Sequence, residues 1–242
     1  MPNVFIDDQY NANSADFDGT TGYLNRGADL TGNTDSSQGI LSVWARLDGG
    51  DGSQLQIIWS TGSTVNIHRS SANKFSINVT NGTGVLAFTS TNTYTSGSSW
   101  IHLLASWDTN FGAGSKVSHM YVNGSSDKTG VTDSGIAFNI DYTVANYQVA
   151  AQSGSTFFNG CLAEVYFAPG QFLDFSNANN RLKFRSALGK PVFLGMDGSL
   201  PTGTAPKIFL RYPASSFEIN GGSGGNFTRN GTIVAGSTSP SL

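Results

Sequence analysis

At 242 residues, with 12% charged residues, a formal net charge of −3 and 30 glycines, the chain has the size and composition of one large β-domain, built from strands and turns rather than helices. The weak negative balance offers no footprint for nucleic acid, since the densest basic run is Arg181-Leu182-Lys183-Phe184-Arg185. The single cysteine, Cys161, excludes an internal disulfide, so stability must come from burial and hydrogen bonding.

The stretch MPNVFIDDQYNANS has neither a basic n-region nor an apolar h-region, and no run is long enough to span a bilayer. Residues 1–15 read as an N-terminal arm, with no signal peptide and no membrane insertion expected. Period-two alternation then sets in. Leu41, Val43, Ala45 and Leu47 share one face of a strand, and Ser42, Trp44 and Arg46 share the other. In QLQIIWS the same rule puts Leu55, Ile57 and Trp59 together. KFSINVT is the cleanest case, with Phe75, Ile77 and Val79 against Lys74, Ser76, Asn78 and Thr80. Asn81-Gly82-Thr83-Gly84 tolerates positive φ, so Phe75 to Thr89 reads as a hairpin.

WIHLLASWD, HMYVNG, YQVAA, FFNGCLAEVYF and KIFLRY follow as further strands, a spacing that means a sandwich or barrel over 16–212. In FFNGCLAEVYF, alternation places Cys161, Ala163, Val165 and Phe167 on the core face and Leu162, Glu164 and Tyr166 on the opposite one. One segment breaks the pattern. Near 176–188 a short surface helix is expected, N-capped by Ser176 or Asp174, with Ala178, Leu182 and Leu188 on one stripe and Gly189 and Pro191 as its stop. Arg181, Lys183 and Arg185 read as its solvated face. The Gly/Ser/Thr-rich extension 213–242 is expected to add one strand and finish as a loose tail.

FDGTTGYLNRG (Phe17 to Gly27), ILSVWARL, WIHLLASWD (Trp100 to Asp108), HMYVNG (His119 to Gly124) and FFNGCLAEVYFAPG (Phe157 to Gly170) occur in an order that resembles concanavalin A-like, laminin-G-like jelly-roll domains. The resemblance implies an all-β jelly-roll sandwich of two antiparallel sheets, with one short surface helix read from 176–188. FLDFSNANNRLKFRSALGKPVFLGMDGSLPTGTAPKIFLR and the late GGSGGNFTRNGTI look like a C-terminal extension met in proteins of tailed phages and prophages. That likeness implies a virion surface protein of tail or head, assembled in the host cytoplasm. Its partners would be other virion proteins, copies of itself or a host-surface glycan.

Fold alone decides nothing about activity, because this fold hosts lectins, adhesion modules and endo-glucanases. The glucanases carry a Glu-x-Asp-x-x-Glu cluster that sets nucleophile and acid/base at working separation. Here the only glutamates are Glu164 and Glu218, with no carboxylate two residues either side of Glu164 or four after it, so a non-enzymatic protein is expected. A soluble carbohydrate-binding module and a glycan hydrolase stand as alternatives. Gly221-Gly222-Ser223-Gly224-Gly225 matches Gly-x-Ser-x-Gly, yet no histidine lies downstream to complete a triad. A glycan site needs aromatic faces beside polar groups, and the polar strand faces offer Trp44 with Arg46, His119 with Tyr121, and Glu164 with Tyr166. No cofactor is expected apart from candidate calcium ligands Asp48 and Asp51, in a loop whose Asp and Gly residues equally suit an ordinary turn.

Overall fold

The computed structural model describes residues 10–112 and 115–242, so the first nine residues of the expected N-terminal arm lie outside the described residues. In chain order the strands are β1 (Ala15–Asp18), β2 (Tyr23–Asn25), β3 (Gln38–Leu47), β4 (Gln56–Ser60), β5 (Val65–Arg69), β6 (Phe75–Thr80), β7 (Val85–Thr89) and β8 (Ile101–Phe111). They continue with β9 (Ser115–Val122), β10 (Ser125–Ser126), β11 (Thr129–Asp133), β12 (Gln148–Val149), β13 (Asn159–Pro169), β14 (Ile208–Leu210), β15 (Thr228–Asn230) and β16 (Ile233–Ala235). Sheet I runs β10-β9-β8-β3-β13-β1-β16, with β14 also against β13; sheet II runs β11-β7-β6-β5-β4-β12-β2-β15. The strand pairings are antiparallel, giving the expected two-sheet sandwich.

The inner faces meet where alternation said they would. Leu41, Val43, Ala45 and Leu47 of β3 lie against Ile67, Phe75, Ile77, Val79 and Phe88 in one buried cluster. At its centre Phe167 packs on Trp59 (ring centroids 4.3 Å apart), Tyr142 (5.7 Å) and Trp107 (6.4 Å). Trp107 donates its indole N–H to the Tyr142 hydroxyl (2.9 Å), which donates in turn to the Gln38 carbonyl (3.0 Å), so both buried polar tips are satisfied. The hairpin of β6 and β7 forms as read, Thr80 opposite Val85 across Asn81–Gly84.

Register shifts on β13 and β4 break the alternation read from those strands. Ala163 pairs with Trp44 but Tyr166 with Ser42, so Glu164 and Val165 together oppose Val43. Glu164 takes a left-handed conformation, φ +49°, as an extra residue in a strand requires. The extra residue flips the parity of everything before it. Leu162 therefore faces the main core, and Cys161 and Ala163 face outward, correcting the reading that put the latter two inside. A second register shift between Ile57 and Trp59 separates that pair: Trp59 enters the core opposite Ile67, while Ile57 pairs with His68 on the outer face.

The outer face of sheet I carries a second apolar layer. Ile40, Leu104, Tyr166 and Ala168 from the strands pack under Phe175, Phe184, Leu194 and Phe209. The helix within this layer is a single turn, Ala178–Arg181, capped by the Asn177 side chain accepting from the Asn179 N–H (3.0 Å) rather than by Ser176 or Asp174. Its expected stripe is not buried, with Leu182 46% and Leu188 74% exposed. The Asp and Asn side chains of Asp174, Asn177 and Asn180 bond local backbone and compete with further helical turns. The C-terminal extension forms two strands instead of one strand and a loose tail: β15 joins β2 in sheet II and β16 joins β1 in sheet I.

Phe184 stands edge-on to both Tyr166 (5.2 Å) and Phe175 (5.8 Å) in the outer layer. Phe184→Ala is expected to cost about 3–5 kcal/mol of stability in urea unfolding followed by tryptophan fluorescence. A loss under about 1 kcal/mol would mean that the layer does not fold cooperatively with the sandwich.

Candidate functional site

The six side chains proposed for ligand binding lie on the outer face of sheet I, on β3, β9 and β13. The layer above has covered most of them. Trp44 is 3% exposed and stacks on His102 at 4.6 Å, while His102 Nε2 lies 2.8 Å from the Ser42 hydroxyl. Burial, with the Arg185 charge nearby, pushes the His102 imidazole down to about 3, so it is neutral at ordinary pH. Arg46 gives Nε and one terminal amino group to the two oxygens of Asp48 (3.0 and 2.8 Å) and the other to Ser237 and Thr238. Tyr166 is fully buried between Phe184 and Phe209. Tyr121 is half-buried beneath the Arg181 guanidinium, 4.4 Å from its ring centre, and His119 Nε2 sits 3.2 Å from Asp174 Oδ1.

Glu164 is 2% exposed. Tyr10 donates its hydroxyl to Glu164 Oε1 (2.7 Å), while Oε2 is buried with no partner among the described residues. Burial raises its carboxyl to about 7, against the opposing hydrogen bond from Tyr10 and the charge of Arg211. Alternation set Glu164 on the face opposite the core, where it need not be a buried charge; in the structure it is buried on the bulge with Tyr10 across it, and among the described residues no second carboxylate bonds it.

The calcium candidates serve arginines. Asp48 pairs with Arg46, and Asp51 accepts from Arg69 (2.6 Å) and from the Ser96 N–H and hydroxyl. Asp16, Asp48 and Cys161 do bring donor atoms within 4.8 Å of one another. Burial pushes the Cys161 thiol up to about 12, however, the reverse of what a ligating thiolate needs.

The outer face of sheet II is where the sequence reading placed nothing. Register aligns Thr228, Asn25, Gln148, Ser60, Asn66, Asn78 and Ala87 in one row across the strands. Beside it runs a second row, Ile57, His68, Ser76 and Thr89. Neither row contains a charged side chain at neutral pH, since burial lowers the His68 pKa. Gln148 Oε1, Asn66 Oδ1 and His68 Nδ1 are buried without partners among the described residues, and Gln148 and His68 are 6% and 8% exposed. Tyr23, half-buried on β2, faces Phe157 at 6.0 Å. Alternation in KFSINVT assigned Ser76 and Asn78 to a polar face; the pairing of strands distant in sequence, which aligns them with the other residues of the rows, is not written in that segment.

Residues 18–170 match the family described as the Concanavalin A-like lectin/glucanases superfamily. The chain belongs to that superfamily. Its fold is similar to a crystal structure from Bacteroides ovatus whose name suggests a carbohydrate binding protein, with a TM-score of 0.63 at 17% identity, over 95% of this chain and 62% of that one. This chain therefore spans less than two thirds of that protein. More distant similarities are to domains LG4-5 of the mouse laminin alpha1 chain (TM-score 0.41, 18% identity, 70% of this chain and 44% of that one) and to domain 4 of a GH43 extracellular arabinanase from Geobacillus stearothermophilus in complex with arabinotriose (0.43, 15%, 69% and 75%). No curated protein matches the sequence.

A carboxyl whose folded-state pKa is raised binds its proton more tightly when folded, so stability falls as pH rises from the unfolded value through the folded one. For Glu164 that window runs from 4.5 to about 7 and is worth about 3 kcal/mol. Between pH 4.5 and 8, Glu164→Gln is expected to remove this downward slope from urea unfolding profiles. Parallel profiles for the two proteins would show that Glu164 is ionised in the fold.

Proposed function

We propose that the protein is a non-catalytic carbohydrate-binding domain that takes a neutral oligosaccharide on the outer face of sheet II. The observation that carries this reading is the uncharged row across that face, with amide and imidazole atoms buried and unpartnered within it. Asn25, Asn66 and Asn78 are half-buried, so the row keeps amide groups in reach of sugar hydroxyls, which both donate and accept. Neighbouring strands are about 4.8 Å apart, so Asn25, Gln148, Ser60, Asn66 and Asn78 span roughly 19 Å, the reach of an oligosaccharide rather than one ring. Tyr23 and Phe157 supply aromatic surface beside the row. Membership of a lectin and glucanase superfamily, and the name given to the Bacteroides ovatus protein, support the same class of ligand.

Binding without hydrolysis is the better reading because neither row offers a carboxylate, and glycoside hydrolysis needs two. Of the two glutamates, Glu164 is sealed beneath Tyr10 and Glu218 is paired with Arg229 at 2.6 Å. The virion role implied by the stretches 172–211 and 221–233 finds no support among the relatives; Phe175, Phe184, Leu194 and Phe209 of the first pack over sheet I, and the second supplies β15 to sheet II.

A glycan array with the purified protein, followed by calorimetry, is the test. Neutral oligosaccharides are expected to bind, with Asn66→Ala weakening them about tenfold, EDTA having no effect and no reducing ends released. Binding of no neutral glycan at millimolar concentration, or binding indifferent to both Asn66→Ala and His68→Ala, would overturn the assignment.

A further inference from the structure

The run Arg181-Leu182-Lys183-Phe184-Arg185 reads from sequence as a solvated basic face, and only Lys183 behaves that way. It is exposed and donates to the Pro201 carbonyl (2.9 Å). The two arginines turn toward sheet I. Arg181 is fixed by donating to the Phe175 and Ser176 carbonyls (2.5 and 3.0 Å) while its guanidinium lies over Tyr121. Arg185 is half-buried, and its guanidinium lies between Gly124 and Gly189. Both glycines have positive φ, and a Cβ on them would come within 3.0 and 2.7 Å of the two terminal amino nitrogens, so the backbone leaves this space only because glycine stands there.

Arg46, Arg69 and Arg229 each bond a carboxylate. Arg185 bonds none among the described residues, and its Nε is buried without a partner. Burial lowers its pKa, yet a guanidinium with an intrinsic value above about 12 remains charged at any physiological pH. Holding such a cation partly out of water without a counter-ion costs free energy that an ion pair would offset.

The space beside it is a cavity of ≈170 Å³ lined by Arg181, Arg185, His102, Gly124 and Ser186, with an apolar wall of Leu104, Ala178, Leu182 and Ala187. Among the described residues no aspartate or glutamate lines it. Ser186 Oγ accepts from the Lys190 N–H (3.1 Å), which leaves its own O–H free to donate inward. The donors are thus guanidinium groups and a hydroxyl, and a planar fork of N–H groups suits two oxygens of one oxyanion. Clefts for whole small ligands start near about 300 Å³, so this cavity fits one acidic group and the carbon bearing it.

We propose that this cavity is an oxyanion-binding site for the carboxylate or sulfate group of an acidic ligand, with Arg185 as its principal contact. The site lies on sheet I, away from the neutral rows of sheet II, and does not depend on them. Of the groups lining it, His102 is neutral because burial pushes its imidazole down to about 3.

Thermal unfolding and calorimetry on the full chain test this with sodium sulfate and glucuronate, against sodium chloride and glucose at matched ionic strength. Sulfate and glucuronate are expected to raise Tm saturably beyond chloride, with affinity flat from pH 5 to 9. Arg185→Gln should weaken them at least tenfold while leaving Tm in chloride unchanged or higher, because it removes an unpaired buried charge. Leu182→Glu, at an exposed position on the rim, should block them without touching Arg185. A response to sulfate alone supports the site and assigns it to a free inorganic anion; a response to glucuronate as well assigns it to acidic sugars. No shift beyond chloride, or an equal shift in both variants, overturns the proposal, as does a large fall in Tm for Arg185→Gln in chloride.

Discussion

The molecule hangs on one irregular strand. β13 lies between β3 on one side and, on the other, β1 along its first half and β14 along its second. The change of neighbour coincides with the bulge at Glu164, where one extra residue resets which side chains face the core. Before it Leu162 points inward; after it Val165 and Phe167 do, and Phe167 is the ring on which Trp59, Trp107 and Tyr142 converge. A left-handed glutamate costs about 1–3 kcal/mol, and the packing on both sides of the strand outweighs it. Without the parity change either Leu162 or Phe167 would be outside.

β14 in turn decides what becomes of sheet I. Its pairing with Val165–Phe167 brings Phe209 beside Tyr166 on the outer face and anchors the segment that carries Phe175, Phe184 and Leu194. An antiparallel sheet can leave one face to water, but sheet I is apolar on both, with Ile40, Leu104 and Ala168 outside as well as Leu41 and Val43 inside. This outer layer answers the question that aromatic residues on a polar strand face raise. Tyr166 is a buried side chain of a second core, Trp44 is buried in a stack with His102, and the carboxyl of Glu164 is closed off beside Tyr10.

Strand identity, the β6–β7 hairpin and the sandwich class were legible because period-two alternation and turn residues are local signals. Two classes of fact were not. Bulges are invisible to alternation: AEVYF and QIIWS each read as unbroken strands, and each contains the residue that reverses the pattern. Long-range cover is equally silent, since nothing near Trp44 and Arg46 says that the first will stack on His102 and that the second will bond Thr238 of the C-terminal segment. The short helix failed for a local reason, since Asn-rich sequence bonds its own backbone more readily than it nucleates further turns.

The charges follow from the same architecture. With few charged residues, most of those in loops hold turns: Asp18 accepts from the N–H groups of Thr20, Thr21 and Gly22, and Asp127 from those of Thr91 and Asn92. For Asp18 these hydrogen bonds, against the upward pull of burial, hold the carboxyl far below its ordinary value, so it is an acceptor committed to the chain. Carboxylates used in this way are not available to cations or catalysis, which is why oxygen-rich loops in this sequence are weak evidence for calcium. What is left over is informative by contrast. The neutral amides of sheet II and the guanidinium of Arg185 are polar groups that the fold positions and does not satisfy, one set suited to hydroxyls and the other to an anion. With the aromatic residues of β3 and β13 covered by the second apolar layer, the proposed ligand sites rest on these unsatisfied groups and not on Trp44 or Tyr166.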